Sequence, residues 1–199
     1  VDRNLIDAMR DALAHRGPDA AASFCQGPIG LGHRRLSIID LSDVAGQPMQ
    51  SPDGRWTLVF NGEIYNFREL RPELERVGWT FRTRSDTEVL LAGIASWGVG
   101  STMRRINGMA ALAVWDARYE RLYLARDRYG IKPLYLHRTP QAIGFASEIK
   151  AFLQLPSFRV EVNQSALREY FTFQNLFRDH TLFSGADQLP PASILTVDR

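Results

Sequence analysis

The 199-residue sequence predicts an α+β layered fold, in which antiparallel sheets pack together and helices lie outside them. Two observations carry this. Apolar, β-branched runs come in the order strands, helices, strands, without the regular strand–helix alternation that a doubly wound sheet requires. Apolar residues make up 45% of the chain and charged residues 23%, the balance of an ordinary globular protein with material for one good-sized core.

Each element has its own signal. Residues 4–14 read as a helix, with Asn4 as cap and Ile6, Met9 and Leu13 on one face, stopped by Gly17-Pro18. Residues 29–40 read as a strand, followed by a loop rich in Ser, Asp, Gly and Pro as far as Gly54. Residues 56–60 form a buried-type strand that runs straight into Asn61-Gly62. Asn66 then caps a helix with Glu69 three residues on and Phe67, Leu70, Leu74 and Val77 as its apolar stripe. Ser85 and Glu88 form a capping box ahead of Val89, Leu90, Ile94 and Trp97. Residues 110–115 and 122–125 read as strands joined by a turn, with shorter strands over 134–136, 143–146 and 194–197 and a helix over 164–173. No repeat, low-complexity tract or linker interrupts the pattern, so residues 1–199 are expected to form one domain.

The formal net charge of +2, from scattered basic residues, gives no footing for nucleic-acid binding. Lysine occurs only at Lys132 and Lys150; the remaining cations are arginines, whose planar fork suits two-point contact with carboxylates. The single cysteine, Cys25, excludes an internal disulfide and favours a reducing, cytoplasmic setting. No apolar run is long enough to span a bilayer as a helix, so no membrane partner is expected. The polar start Val1-Asp2-Arg3-Asn4, without an initiator methionine, suggests a chain that begins inside a longer natural sequence.

Polar, turn-forming clusters sit at the ends of apolar strands, where sites are usually built. They are His15-Arg16-Gly17-Pro18-Asp19, the run from Arg35 to Asp40, Asn61-Gly62-Glu63-Ile64-Tyr65-Asn66, Ser85-Asp86-Thr87-Glu88, and the run from Asp127 to Tyr135. Each alone has a simpler reading: a helix stop, a turn, a helix cap.

Together, and in this order, the clusters resemble the glutaminase domain of the class II (amino-terminal-nucleophile) glutamine amidotransferases, and within that class asparagine synthetase. The resemblance runs from Asp7 to the end of the chain and includes Ala146-Ser147-Glu148-Ile149-Lys150-Ala151 and Leu189-Pro190-Pro191. His15 to Asp19 and Glu63 point to the asparagine synthetase branch. The resemblance implies a four-layer αββα sandwich of antiparallel sheets. It also implies hydrolysis of L-glutamine to glutamate and ammonia, the ammonia feeding an ATP-dependent conversion of aspartate to asparagine. In such a domain an amino-terminal cysteine thiol attacks the carboxamide, its own α-amine handles the proton, and a glutamyl thioester forms. By resemblance, the Asn61 side-chain amide and the Gly62 backbone N–H form the oxyanion hole. Arg35 matches the α-carboxylate of glutamine and Asp86 its α-ammonium, while Glu63 and the backbone of Leu36, Ser37, Ile38 and Ile39 complete the pocket. For Asp86, helix-terminus stabilisation is an equally good account, and both can hold. His15 and the run from Asp127 to Tyr135 are read as structural, the latter as framing or a contact with a neighbouring domain.

No cofactor or metal is implied within this segment. ATP and magnesium belong to a synthetase domain beyond residue 199 in the same polypeptide, whose Ser-Gly-Gly-Leu-Asp-Ser signature is absent here. That domain and L-glutamine are the implied partners, and a homodimer is left open. The family pattern opens with Cys-Gly-Ile on a first strand that this sequence lacks, and Cys25 cannot serve because its α-amine is tied into a peptide bond. The expectation is therefore an active domain cropped at its amino end, less stable than the whole and inactive alone. The alternatives are a relative that has lost the nucleophile and acts as a scaffold or glutamine-binding domain, or an amidotransferase acting on another acceptor such as a surface sugar. The presence of Arg35, Asn61, Gly62, Glu63 and Asp86 together favours the first.

Overall fold

A computed structural model describes residues 1–36, 42–177 and 179–198. The first helix, α1 (Arg3–Asp11), is capped by Asp2, whose carboxylate accepts the Asn4 N–H at 2.9 Å. The cap thus lies two residues before the position read from the sequence. A hairpin follows, β1 (Ala20–Gln26) and β2 (Ile29–Arg35), in antiparallel register from Ala20↔Arg35 to Gln26↔Ile29. β1 has no signal of its own, because Ala-Ala-Ala-Ser is a poor strand former; pairing with β2 makes it a strand. Gly17 lies directly on that hairpin. A Cβ there would come within 2.3 Å of the Arg34 carbonyl carbon, so the glycine is required by close packing as well as by the helix stop. Of the strand expected over 29–40, the portion over 37–40 lies outside the described residues.

Next come β3 (Met49–Gln50) and β4 (Trp56–Ile64). β4 does not turn at Asn61-Gly62 but continues through both residues, because its full length pairs with β5 (Gly108–Asp116) from Trp56↔Asp116 to Ile64↔Gly108. Between these strands lie α2 (Phe67–Arg76), α3 (Asp86–Trp97) and α4 (Val99–Arg105). Ser85 caps α3 by accepting the Glu88 N–H at 3.2 Å. The Glu88 carboxylate does not return the bond to Ser85. It accepts instead from the backbone N–H of Arg82 and Thr83 and from the Thr83 hydroxyl, at 2.6–3.1 Å, which satisfies a fully buried charge. Then follow β6 (Arg121–Arg126), β7 (Tyr135–Arg138), β8 (Ile143–Ala146), α5 (Gln164–Phe173), β9 (Asp187–Gln188) and β10 (Ile194–Val197).

The strands form two layers. One is a five-stranded sheet in the order β10-β6-β5-β4-β3; the other is in two pieces, β1-β2 and β8-β7-β9, and every pairing is antiparallel. Three clusters of buried apolar side chains separate four layers. Leu58, Phe60, Leu74, Leu90, Ile94 and Leu112 fill the space between the five-stranded sheet and α2–α4. Leu31, Val59, Ala113, Leu124 and Leu136 lie between the two sheet layers. Ala146, Phe152 and Phe158, with Met9 and Leu13 of the α1 segment, form the third, between the second sheet layer and the outer helical one. This is the αββα sandwich implied by the resemblance. Deleting one of the fully buried leucines, such as Leu58, costs about 2–5 kcal/mol. Among the described residues no helix is long and apolar enough to cross a membrane.

Candidate functional site

Strand alternation aims the site. Trp56, Leu58 and Phe60 face the helices, so Val59 and Asn61 face the other sheet layer. That layer is split. β2 ends one piece and β8 ends the other, and a cleft of about 660 Å³ lies between them, floored by β4, β5 and β6 and bordered by α1. Its lining is mainly aliphatic, with Val59, Ala111, Ala113 and Leu122 below and Ile29 and Ile143 at the sides.

Three buried polar atoms on the lining residues have no hydrogen-bond partner: Asn61 Nδ2, His33 Nδ1 and Trp115 Nε1. Among the described residues only Trp79 Nε1 shares that state. Such atoms cost about 1–3 kcal/mol each when buried unsatisfied, so their gathering on one cleft marks a place shaped for polar company.

At one end of the cleft stand Asn61 and His33. The His33 ring is largely buried, and its Nδ1 has no hydrogen-bond partner. Burial pushes its pKa down from 6.5 to about 4; the Phe60 carbonyl works against that and the Arg35 charge adds to it. At neutral pH the ring is therefore uncharged. Gln47 braces the same strand: its carbonyl accepts the Phe60 N–H at 2.6 Å, and its amide donates to the Phe60 carbonyl at 3.2 Å and to the Thr87 hydroxyl at 3.4 Å.

Gly62 must be glycine for a reason beyond access to a ligand. A Cβ would lie 2.0 Å from the Met109 carbonyl oxygen on the neighbouring strand. Asp86, buried at the start of α3, accepts the Ile64 N–H at 3.0 Å and so ties the helix to the end of β4. Burial raises its pKa above the ordinary carboxylate value; the N–H groups of Ile64 and Thr87 oppose this, and the nearby Glu63 charge adds to it. Glu63 itself is exposed.

The structure therefore groups Asn61, Gly62, Glu63 and Asp86 at the end of β4. Arg35 closes β2 two residues beyond His33, and its guanidinium donates to the Ser42 carbonyl at 2.9 Å. Leu36 is exposed, and Ser37, Ile38 and Ile39 lie outside the described residues. His33 and Gln47 were not singled out from the sequence. The available signals were a histidine inside an apolar strand and a glutamine directly before a proline in the loop leading to β3.

The remaining clusters have framing roles in the structure. His15 and Arg16 meet Glu148 at 2.9 and 3.0 Å, and Lys150 lies 2.9 Å from His15, joining the Gly17 turn to the segment after β8. Asp127 accepts N–H groups from Ala110, Tyr129, Ile131 and Lys132. Burial works against its ionised form, yet these donors hold its pKa below the ordinary value. That carboxylate pins the loop after β6 beside Ala110, the partner of Gly62. Among the described residues no group of three or more His, Cys, Asp and Glu side chains could hold a metal ion.

A buried amide N–H without a partner, on a residue that lines an aliphatic cleft, is a donor available to a developing negative charge. The αββα sandwich, with such a donor near the end of a central strand, is the fold of the amino-terminal-nucleophile hydrolases. Within that fold the chain belongs to the glutamine amidotransferase domain family, whose profile matches residues 1–199. It is 41% identical over 193 residues to glutamine-hydrolysing asparagine synthetase 1 of Bacillus subtilis, an alignment covering 97% of this chain and 30% of that protein. It is 35% identical over 201 residues to glutamine-hydrolysing asparagine synthetase 3 of the same organism, covering 100% of this chain and 32% of that one. A solved glutamine phosphoribosylpyrophosphate amidotransferase from B. subtilis, complexed with ADP and GMP, superposes with a TM-score of 0.55 at 28% identity, over 67% of this chain and 30% of that one. The chain thus spans about a third of the length of the curated relatives it matches.

Proposed function

We propose that this domain hydrolyses L-glutamine to glutamate and ammonia, and that the ammonia passes to a synthetase domain of the same polypeptide that converts aspartate to asparagine with ATP and magnesium. The observation that carries the reading is the orphaned Asn61 amide, buried beside Gly62 at one end of the cleft in a member of the glutamine amidotransferase family. In this reading an amino-terminal cysteine sits beside Asn61. The thiol proton passes to the cysteine's own α-amine as the sulfur bonds to the carboxamide carbon of glutamine, and the carbonyl oxygen becomes an oxyanion held by Asn61 Nδ2–H and the Gly62 N–H. The C–N bond breaks, the nitrogen takes a proton from the terminal amine, and ammonia leaves a glutamyl thioester. Water then adds to the thioester, the C–S bond breaks, and glutamate and the thiol are released. Arg35 pairs with the substrate α-carboxylate and Asp86 with its ammonium, supported by Glu63 and the backbone of 36–39. The raised pKa of Asp86 suits the role, because a cationic partner would relieve its burial and the Glu63 repulsion together.

The test is steady-state hydrolysis of glutamine by the full natural polypeptide and its Asn61→Ala variant. Loss of one oxyanion donor should lower kcat by about 100- to 1,000-fold with little change in KM. Equal kcat values in the two proteins would remove Asn61 from the reaction.

A further inference from the structure

The outer edge of β4, the one away from β5, carries a pattern that strand pairing alone does not explain. Ala110, opposite Gly62 on β5, gives its N–H to the Asp127 carboxylate at 3.1 Å and accepts the Asp127 N–H at 2.8 Å. Both backbone groups of Ala110 are thus turned away from β4. Gly62, its partner in an antiparallel pair, therefore turns its own N–H and C=O away from β5, to the outer edge. By strand alternation Leu58, Phe60 and Ile64 share that edge.

β3 covers only part of it. The pairing begins at Met49↔Leu58, and the same register carried two residues back sets Gln47 opposite Phe60. There the backbone groups of Phe60 are met by a side chain. Gln47 Oε1 accepts the Phe60 N–H at 2.6 Å, and Nε2 donates to the Phe60 carbonyl at 3.2 Å. A primary amide has the donor and the acceptor of a peptide group, so the Gln47 side chain stands in for one more rung of the ladder. On the far side of Gly62 the Ile64 N–H is taken by the Asp86 carboxylate at 3.0 Å. Side chains therefore close the edge on both sides of Gly62.

Gln47 also reaches the second of these closures. Its Nε2 donates to the Thr87 hydroxyl at 3.4 Å, and Thr87 follows Asp86 in the first turn of α3. One amide thus holds the residue before Asn61 and the helix that carries Asp86. Few side chains can do this: a glutamate has no N–H for the Phe60 carbonyl or the Thr87 hydroxyl, and an asparagine is one carbon shorter.

We propose that Gln47 is a positioning residue for glutamine hydrolysis, which fixes the Asn61–Gly62 segment of β4 and couples it to the start of α3. It would thereby set the span between the oxyanion donors, Asn61 and Gly62, and the ammonium partner, Asp86. The proposal rests on the glutaminase reading above, whereas the clamp itself is measurable without turnover. Gln47 acts only through these residues: it transfers no proton and contacts no reacting atom.

The experiment compares the full natural polypeptide with its Gln47→Met variant, which keeps the length of the side chain and removes its hydrogen bonds. Both are assayed well below their thermal unfolding midpoints. Misplacing reacting groups by a fraction of an ångström should lower kcat for glutamine roughly 10- to 100-fold, with KM within about twofold of wild type. Hydrogen exchange at the Phe60 amide should quicken about tenfold, while Ala113 in the middle of β5 keeps its wild-type rate. An unchanged kcat in the folded variant, or a raised KM with kcat kept, overturns the proposal. Equal acceleration of exchange at Phe60 and Ala113 also overturns it, because Gln47 would then serve only overall stability. If Gln47→Met does not fold, Thr87→Val removes the tether to α3 alone and should lower kcat about threefold or more at unchanged KM; a wild-type kcat there overturns the coupling. Absence of turnover in the wild-type polypeptide counts against the glutaminase reading itself. Exchange then decides the clamp: faster exchange confined to Phe60 supports it, and an unchanged rate overturns it.

Discussion

Lowering the pH from 7 to 4 should cost this chain about 3 kcal/mol of folding stability through His33 alone. The ordinary histidine pKa of 6.5 applies to the unfolded chain, while in the fold the ring does not take a proton until about pH 4. Between those values the unfolded state binds one proton more than the native state, so stability falls as pH falls, by about 1.4 kcal/mol per pH unit. Over the window from 6.5 down to about 4 this amounts to about 3 kcal/mol, fully lost below the lower value. Substituting His33→Phe keeps a ring in the strand and removes the titration. The assay is urea unfolding at pH 7 and pH 4 on both proteins. Carboxylates such as Asp116, Asp127 and Glu148, whose pKa values lie below the ordinary range, begin to lose stability at the acid end of the same window, but they do so in both proteins. The difference between the two pH dependences therefore isolates His33. Parallel pH profiles for wild type and variant would refute the placement of a neutral imidazole against the cleft.

Further outcomes follow from single contacts. Gly62→Ala forces a Cβ against the Met109 carbonyl and should destabilise the fold by about 2 kcal/mol or more, read as a lower urea midpoint at unchanged slope; a midpoint within error of wild type would contradict the strand pairing there. Glu88→Ala leaves the buried N–H groups of Arg82 and Thr83 without their acceptor and should cost about 2–4 kcal/mol, checked by thermal unfolding. Asp116→Ala strips the two-point partner from Arg55 beneath the β5–β6 turn, with contacts at 2.7 and 2.9 Å, and should cost about 2–3 kcal/mol. Glutamine binding should lower the Asp86 pKa towards the ordinary value, visible as a carboxyl shift in an NMR titration; an unmoved value would take Asp86 out of ammonium recognition.

The extent to which the fold was legible in the sequence varies by element for physical reasons. β8, α5 and β10 were read to the residue, because a short apolar run or an Asn cap sets their bounds locally. β1 was not, since nothing in Ala-Ala-Ala-Ser favours a strand until β2 lies beside it. Asn61-Gly62 carries a turn signal, and only the nine-residue pairing with β5 overrides it. The cluster around Asn61 was visible as a polar run at the end of an apolar strand. The cleft was not, because it arises from two strand edges more than a hundred residues apart in sequence. His33 was missed for a related reason: its character comes from burial against Phe60, which no local pattern encodes.

The measurement closest to the central claim is glutamate formed from L-glutamine by the full natural polypeptide, with the amino-terminal residue of the same sample determined by sequencing. The account predicts an amino-terminal cysteine, steady glutamate release, and loss of that release when the cysteine is replaced by alanine. A natural polypeptide with another residue at that position, or a cysteine variant that still releases glutamate at the wild-type rate, would contradict it.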